Sequence, residues 1–203
     1  MTMPGKPSWS GGVVDGVDWD RWTVILCKPD CAETGLTARV LERIAACGVT
    51  VLGRLDLTAR AWQAHVHYWD LLVDADWFTG RDIPAALDAL YADKPVTVAL
   101  AHGDAGIHGR VRDLLGHFDP KQAAKGTIRG DLGRDSLEKA LAERRLVNNL
   151  VHTSDDPDAA RRDFGTWYGA RRRRLLTPPP QHPPHQRAAA EHPLRHTPDW
   201  RSA

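Results

Sequence analysis

Cysteine is scarce in this chain, with three residues in 203, and none of them forms a C-x2-C pair. That excludes a disulfide framework and the usual thiolate zinc site, both of which need paired, closely spaced thiols. Cys27 and Cys31 are spaced C-x3-C, which suits either a redox pair or two small packing residues, and packing is the commoner use. A reducing, cytoplasmic setting fits. Long apolar runs are missing too. No stretch approaches the roughly 20 residues needed to cross a bilayer, and the N-terminus lacks the basic-then-apolar order of a secretion signal. Charge of one sign is also lacking: 27 basic and 26 acidic residues nearly cancel. Seven of the arginines lie beyond residue 169, so the body has no strongly basic face and a nucleic-acid partner is not expected.

What is present is a core. Hydrophobic residues make up 42% of the chain, enough for one domain of about 150 residues with appendages. Residues 1–21, with Pro4, Pro7, Gly11, Gly12 and Gly16, read as a flexible arm. Residues 170–203 pass from Arg171–Arg174 through Pro178, Pro179 and Pro180 into a His, Pro and Ala mixture, and are expected to be disordered. The domain is therefore placed at 22–169. A buried-strand pattern over 23–27 leads into the Lys28-Pro29-Asp30 turn and a helix over 34–46, with Val40, Leu41, Ile44 and Ala45 on one face. A second strand over 49–57 yields at Thr58, a suitable N-cap for a helix carrying Trp62, Val66 and Trp69. Helices over 83–91 and 106–115, strands over 95–100 and 146–151, and a last helix opened by Asp156-Pro157 follow. Asp135-x-x-Glu138 caps a small helix within 135–145. This alternation predicts an α+β fold, a ferredoxin-like βαββαβ sandwich in which a four-stranded antiparallel sheet carries helices on one face.

His152 is the chemical landmark. It ends the apolar run from Leu146 to Val151 and precedes the polar turn Thr153-Ser154-Asp155-Asp156, so an imidazole arrives at a strand end beside groups able to orient it. Upstream, Gly126-Thr127-Ile128-Arg129-Gly130-Asp131 sets a guanidinium between two glycines, which lets backbone and positive charge approach a phosphate. Each signal alone has a duller explanation. A lone histidine near a strand end is usually structural, Tyr68 and Trp77 read as packing aromatics, and the tail histidines His182, His185, His192 and His196 as solvated rather than metal-binding.

Taken in order, Lys28-Pro29-Asp30, His67-Tyr68-Trp69-Asp70, Gly126 to Asp131 and Asn149-Leu150-Val151-His152-Thr153-Ser154-Asp155 resemble the motifs of the nucleoside diphosphate kinase family. The resemblance implies a homo-oligomer in which His152 takes the γ-phosphoryl group from a nucleoside triphosphate and passes it to a nucleoside diphosphate in a ping-pong cycle. It implies Mg2+ held chiefly by the substrate phosphates, with Asp155 touching the ion's hydration shell. Lys28, Tyr68, Arg110 and Arg129 match positions around the phosphates, and Asn149 joins Lys28 at the ribose hydroxyls. Trp77 stacks on the base opposite Leu146, while Ser154 and Asp163 flank the nucleophile.

Three departures stand beside the resemblance. Asp163 falls where the family usually has a glutamate that orients the histidine, so the carboxylate is one methylene shorter. Phe118 falls where a threonine usually meets the β-phosphate, and residues 132–146 contain an insertion of about ten residues before the nucleophile's strand. These leave open a nucleotide-binding regulatory protein with little turnover, and a histidine phosphotransferase with a specialised acceptor.

Overall fold

Strand β1, Trp22–Cys27, is buried at every position because alternate side chains feed two apolar layers. Trp22, Val24 and Leu26 enter one, Ile25 and Cys27 the other. The computed structural model describes residues 16–73 and 82–180, so Trp77 and most of both terminal segments lie outside the described residues. Strands β2 (Thr50–Thr58), β3 (Pro95–His102) and β4 (Val151–Thr153) complete a four-stranded sheet of order β2-β3-β1-β4, with every pairing antiparallel.

Nine α-helices are described: α1 Pro29–Glu33, α2 Thr37–Ala45, α3 Ala61–His67, α4 Trp69–Val73, α5 Ile83–Tyr91, α6 Ile107–Leu115, α7 Ile128–Leu132, α8 Leu137–Ala142 and α9 Pro157–Trp167. The α+β antiparallel sandwich is as expected, but helices cover both faces of the sheet rather than one. On one side α3, α5 and α9 bring Ala64, Leu87 and Phe164, and on the other α2, α6 and α7 bring Ile44, Val111 and Ile128. Strand composition explains it. From Val96 to Ala101 β3 is buried at consecutive positions, as β1 is throughout, and a strand without a polar face must be covered twice.

Other expectations shift locally. The helix expected over 34–46 is α2, Thr37–Ala45, where Ala45 is exposed, and the Lys-Pro-Asp turn before it opens a separate short helix, α1, with Pro29 in its first turn. Thr58 closes β2, and α3 begins after Arg60, whose backbone N–H donates to Gln63 Oε1 at 2.9 Å. Its buried side is Ala64 and His67, while Trp62 stays 57% exposed and Trp69 belongs to the next helix, α4. Strand β4 is only Val151–Thr153, because Leu150 turns the chain at φ 69° and 146–150 runs as a loop. The folded part is also longer than 22–169. Trp19 is buried, and Ala170–Leu176 forms a 3-10 segment with Leu176 in the core. Two leucines after the arginines supply apolar anchorage that the composition of the whole tail concealed.

Candidate active site

His152 sits on β4 opposite Leu26, half-buried, with the His67 ring edge-on at 4.7 Å and the Tyr68 ring at 5.6 Å. Burial lowers its pKa well below the ordinary histidine value, and His67, Lys28, Arg112 and Arg129 lower it further. The ring is thus neutral at pH 7, the form in which a nitrogen lone pair can attack. Two contacts through Leu150 fix its approach. Leu150 N–H donates to Asp30 Oδ2 at 2.9 Å, and Lys28 N–H donates to the Leu150 carbonyl at 2.8 Å. The Lys-Pro-Asp turn and the histidine segment, distant in sequence, are stitched together there.

Lys28 is 7% exposed, with its ammonium 5.6 Å from the Tyr68 ring centroid. Burial brings its pKa down to about 8, with Arg129 adding to the effect and Asp30 opposing it. Tyr68 shares a 2.6 Å hydrogen bond with the Tyr91 hydroxyl, and burial raises its pKa. Arg129 donates to three main-chain carbonyls: Nε to Asn149 at 3.3 Å, Nη1 to Gly116 at 2.9 Å and Nη2 to Val151 at 2.8 Å. It is therefore a strut as well as a charge. Burial lowers even its pKa, to about 10. Asn149 Nδ2 donates to the Phe118 carbonyl at 2.8 Å, leaving Asn149 Oδ1 buried with no partner in the protein.

Arg110 is not brought to this group. It faces Asp104, with Nη2 4.0 Å from the carboxylate, and stands near Cys47, whose thiol burial raises against the opposing Arg110 charge. Arg112 is the residue of α6 whose charge bears on His152 and Arg129. Two residues apart on a helix is about 200° of rotation, so only one of the pair can face the site. Asp155 forms an ion pair with Arg112. Phe118 is 49% exposed and its ring lies 4.6 Å from that of His117.

The glycine after Arg129 has a packing reason. A Cβ at Gly130 would fall onto the Ala124 carbonyl oxygen, so α7 can lie on the preceding loop only with hydrogen there. Gly130→Ala is expected to lower stability by about 2–3 kcal/mol through displacement of α7. Denaturant unfolding of the variant checks this, and a change below about 0.5 kcal/mol would contradict the close approach.

Asp163 is 1% exposed. Its Oδ2 accepts from Ser154 Oγ at 2.7 Å, and its Oδ1 meets His67 Nδ1 at 2.8 Å. The carboxylate expected to hold His152 thus holds His67, its shorter side chain leaving room for a second ring. His67 had no assigned role in the sequence. The signal was there, in the dipeptide His67-Tyr68, of which only the tyrosine was given work. His67, His152 and Asp163 each offer a metal-ligating atom, all within 4.8 Å of one another. Both carboxylate oxygens already have hydrogen-bond partners, and ligands on a zinc ion, with bonds of about 2.0–2.2 Å, stand closer together, so the trio is not arranged as an open metal cage.

A cleft opens beside the group, lined among others by Lys28, Tyr68, Phe118, Arg145, Leu146 and Asn149. The 132–146 insertion builds one wall. Its helix α8 is capped by Ser136, whose Oγ accepts from Lys139 N–H at 3.2 Å, not by Asp135. Asp135 instead clasps Arg145 through two bonds of 2.5 and 2.8 Å and accepts from Asn148 N–H at 2.9 Å, and these contacts bring its pKa down to about 2. The insertion is a closed loop set against Leu146.

The family model described as nucleoside diphosphate kinase matches residues 21–172. A nucleoside diphosphate kinase of Mycolicibacterium vanbaalenii is 34% identical over 150 residues, covering 73% of this chain and 97% of the relative. One from a Nocardioides species is 32% identical over 146 residues, covering 72% and 95%. Among solved structures, a transition-state mimic of nucleoside-diphosphate kinase from Borrelia burgdorferi with bound vanadate and ADP superposes with a TM-score of 0.66 at 26% identity, covering 73% of this chain and 86% of that one. An NDP kinase from Pyrobaculum aerophilum gives 0.62 at 27% identity, covering 73% and 95%.

Proposed function

The chain belongs to the nucleoside diphosphate kinase family, and from that premise we propose that it transfers the γ-phosphoryl group of a nucleoside triphosphate to a nucleoside diphosphate through a phosphohistidine on His152. The observation that carries this reading is a neutral imidazole surrounded by the cations Lys28, Arg112 and Arg129. One ring nitrogen of His152 bonds to the γ-phosphorus as the bond to the β-phosphate oxygen breaks, and the nucleoside diphosphate leaves. A second nucleoside diphosphate then takes the group by the reverse displacement. Little covalent work falls to the other residues, which position the phosphates and offset their charge.

Lys28 and Arg112 serve the phosphates, Asn149 and Lys28 the ribose, and Leu146 with Trp77 the base. Asn149 Oδ1, buried without a partner, suits a ribose hydroxyl donor. Around His152 cations dominate, and Asp155 is engaged by Arg112, a donor set too thin for an all-protein magnesium site but suited to Mg2+ that arrives on the nucleotide. Mg2+ carried there would offset phosphate charge, and Asp155 is the carboxylate that would meet its hydration shell. We place the protein in the cytoplasm as a homo-oligomer. Its three cysteines are free, no helix among the described residues is long and apolar enough to cross a membrane, and β2 ends the strand order with an edge that a second copy can pair.

Incubation with ATP and Mg2+ is expected to give acid-labile phosphate on His152 that nucleoside diphosphates discharge. Well-folded protein that takes no label would end the reading. The Lys28 charge adds a pH signature. Its ammonium is cationic below a pKa of about 8 and loses its proton above it. Affinity of the free enzyme for a nucleoside diphosphate therefore falls as pH rises from 7 to 9, by roughly tenfold, and calorimetric titration of Lys28→Ala should show a flattened profile.

A further inference from the structure

His67 is a buried ring with one nitrogen used and one left over. Its side chain is inaccessible to solvent, Nδ1 lies 2.8 Å from Asp163 Oδ1, and Nε2 is buried without a partner. The Trp167 indole N–H also points at Nδ1, at 3.2 Å, but the carboxylate contact is shorter and its acceptor charged, so we assign the Nδ1 proton to the bond with Asp163. That fixes the tautomer. Nε2 then carries a lone pair and needs a donor, and an unsatisfied buried acceptor is costly. The His152 ring stands edge-on at 4.7 Å, and each of the two rings has a nitrogen within 4.8 Å of the other's. A small rotation or one bridging water closes that distance.

We infer that His67 is a positioning residue: its Nε2 accepts the ring N–H of His152, and Asp163 acts on the nucleophile through His67 rather than directly. The inference rests on the reading of His152 as the phosphorylated residue. Ser154 anchors the far end, since its Oγ donates to Asp163 Oδ2 at 2.7 Å and accepts from Val24 N–H at 3.2 Å. The relay therefore runs from the β1 backbone through Ser154, Asp163 and His67 to His152. Holding the proton of His152 on the nitrogen facing His67 leaves the lone pair on the other nitrogen, where the γ-phosphorus arrives. The ring between carboxylate and nucleophile takes up the reach lost when the side chain at 163 is an aspartate.

The test uses the full chain and single-turnover labelling of His152 by ATP and Mg2+. His67→Ala is expected to slow labelling roughly 100-fold, because the nucleophile loses its tautomer and direction. Adding Asp163→Glu to that variant lengthens the carboxylate into the vacated space and should recover at least about tenfold. Asp163→Glu alone meets His67 and should not raise the labelling rate above wild type. His67→Gln, whose amide can both donate to Asp163 and accept from His152, should stay within about tenfold of wild type, which keeps the test decisive if His67→Ala does not fold. Nitrogen-15 spectra of His152 should show one tautomer in the wild type and a mixture in His67→Gly or His67→Ala. A folded His67→Ala that labels at the wild-type rate, or a wild-type His152 that already mixes tautomers, would overturn the inference. Absence of label in the wild type would instead remove the phosphotransfer reading, while the tautomer measurement would still decide the contact.

Discussion

His152→Ala is expected to abolish phosphoryl transfer, with a loss of at least about 10⁴-fold, because it removes the atom that forms the bond and no neighbour can take its place in line. The fold should survive. The ring is half-buried on the three-residue strand β4, and the pairing with Ile25–Cys27 is made by main chain. Circular dichroism and gel filtration of the variant establish that it is folded, and the labelling assay then reads the chemistry alone. Retention of acid-labile phosphate in a folded His152→Ala protein would assign the nucleophile elsewhere, with His67 the nearest imidazole at 4.7 Å.

Arg129→Ala is expected to combine a large loss of activity with a loss of about 3–5 kcal/mol in stability. The guanidinium satisfies the carbonyls of Gly116, Asn149 and Val151 at once, tying the turn after α6 to the segment that carries His152. Truncation takes a donor from each of these carbonyls, although Asn149 keeps the Val151 N–H at 2.8 Å, and each unmet buried group costs about 1–3 kcal/mol. Thermal unfolding should fall by roughly 10 °C or more for a domain of this size. Arg129→Lys is the informative companion. It keeps a cation but cannot span three carbonyls with one planar fork, so most of the stability loss should remain. A thermal midpoint of Arg129→Ala unchanged from wild type would show that the three bonds are dispensable.

Much of this was legible in the residues, and the illegible part has physical causes. The strand and helix order, the Asp156-Pro157 helix start and the grouping of Lys28, Tyr68, Arg129, Asn149, Ser154 and His152 all follow from local patterns and ordered motifs. Asp156 indeed caps α9, accepting from Ala159 N–H at 2.7 Å. Strand β4 was misplaced because 146–150 is apolar for a different reason, as cleft wall and loop anchor, and periodicity cannot distinguish a buried loop from a buried strand. Arg110 was named for the phosphates where α6 presents Arg112, because the phase of that helix against the site is set by packing and not by local pattern. His67 stood in a quoted motif but was given no work, because its contact with Asp163 spans 96 residues and the motif alone does not name that partner. Gly130 was credited with bringing backbone to a ligand, whereas it lets α7 rest on Ala124.

The double cover of the sheet changes what a folding error would look like. In a sheet with one wet face, sliding a strand by one residue turns grease outward and the mistake is expelled; β1, apolar at consecutive positions, would merely trade one oily neighbour for another. Alignment is enforced instead by the few polar groups fastened at the ends of β1 and β4, Ser154 with Val24 and Leu150 with Asp30. A population trapped one notch out of step would pass as native by size and helicity, yet turn its imidazole away from the cations.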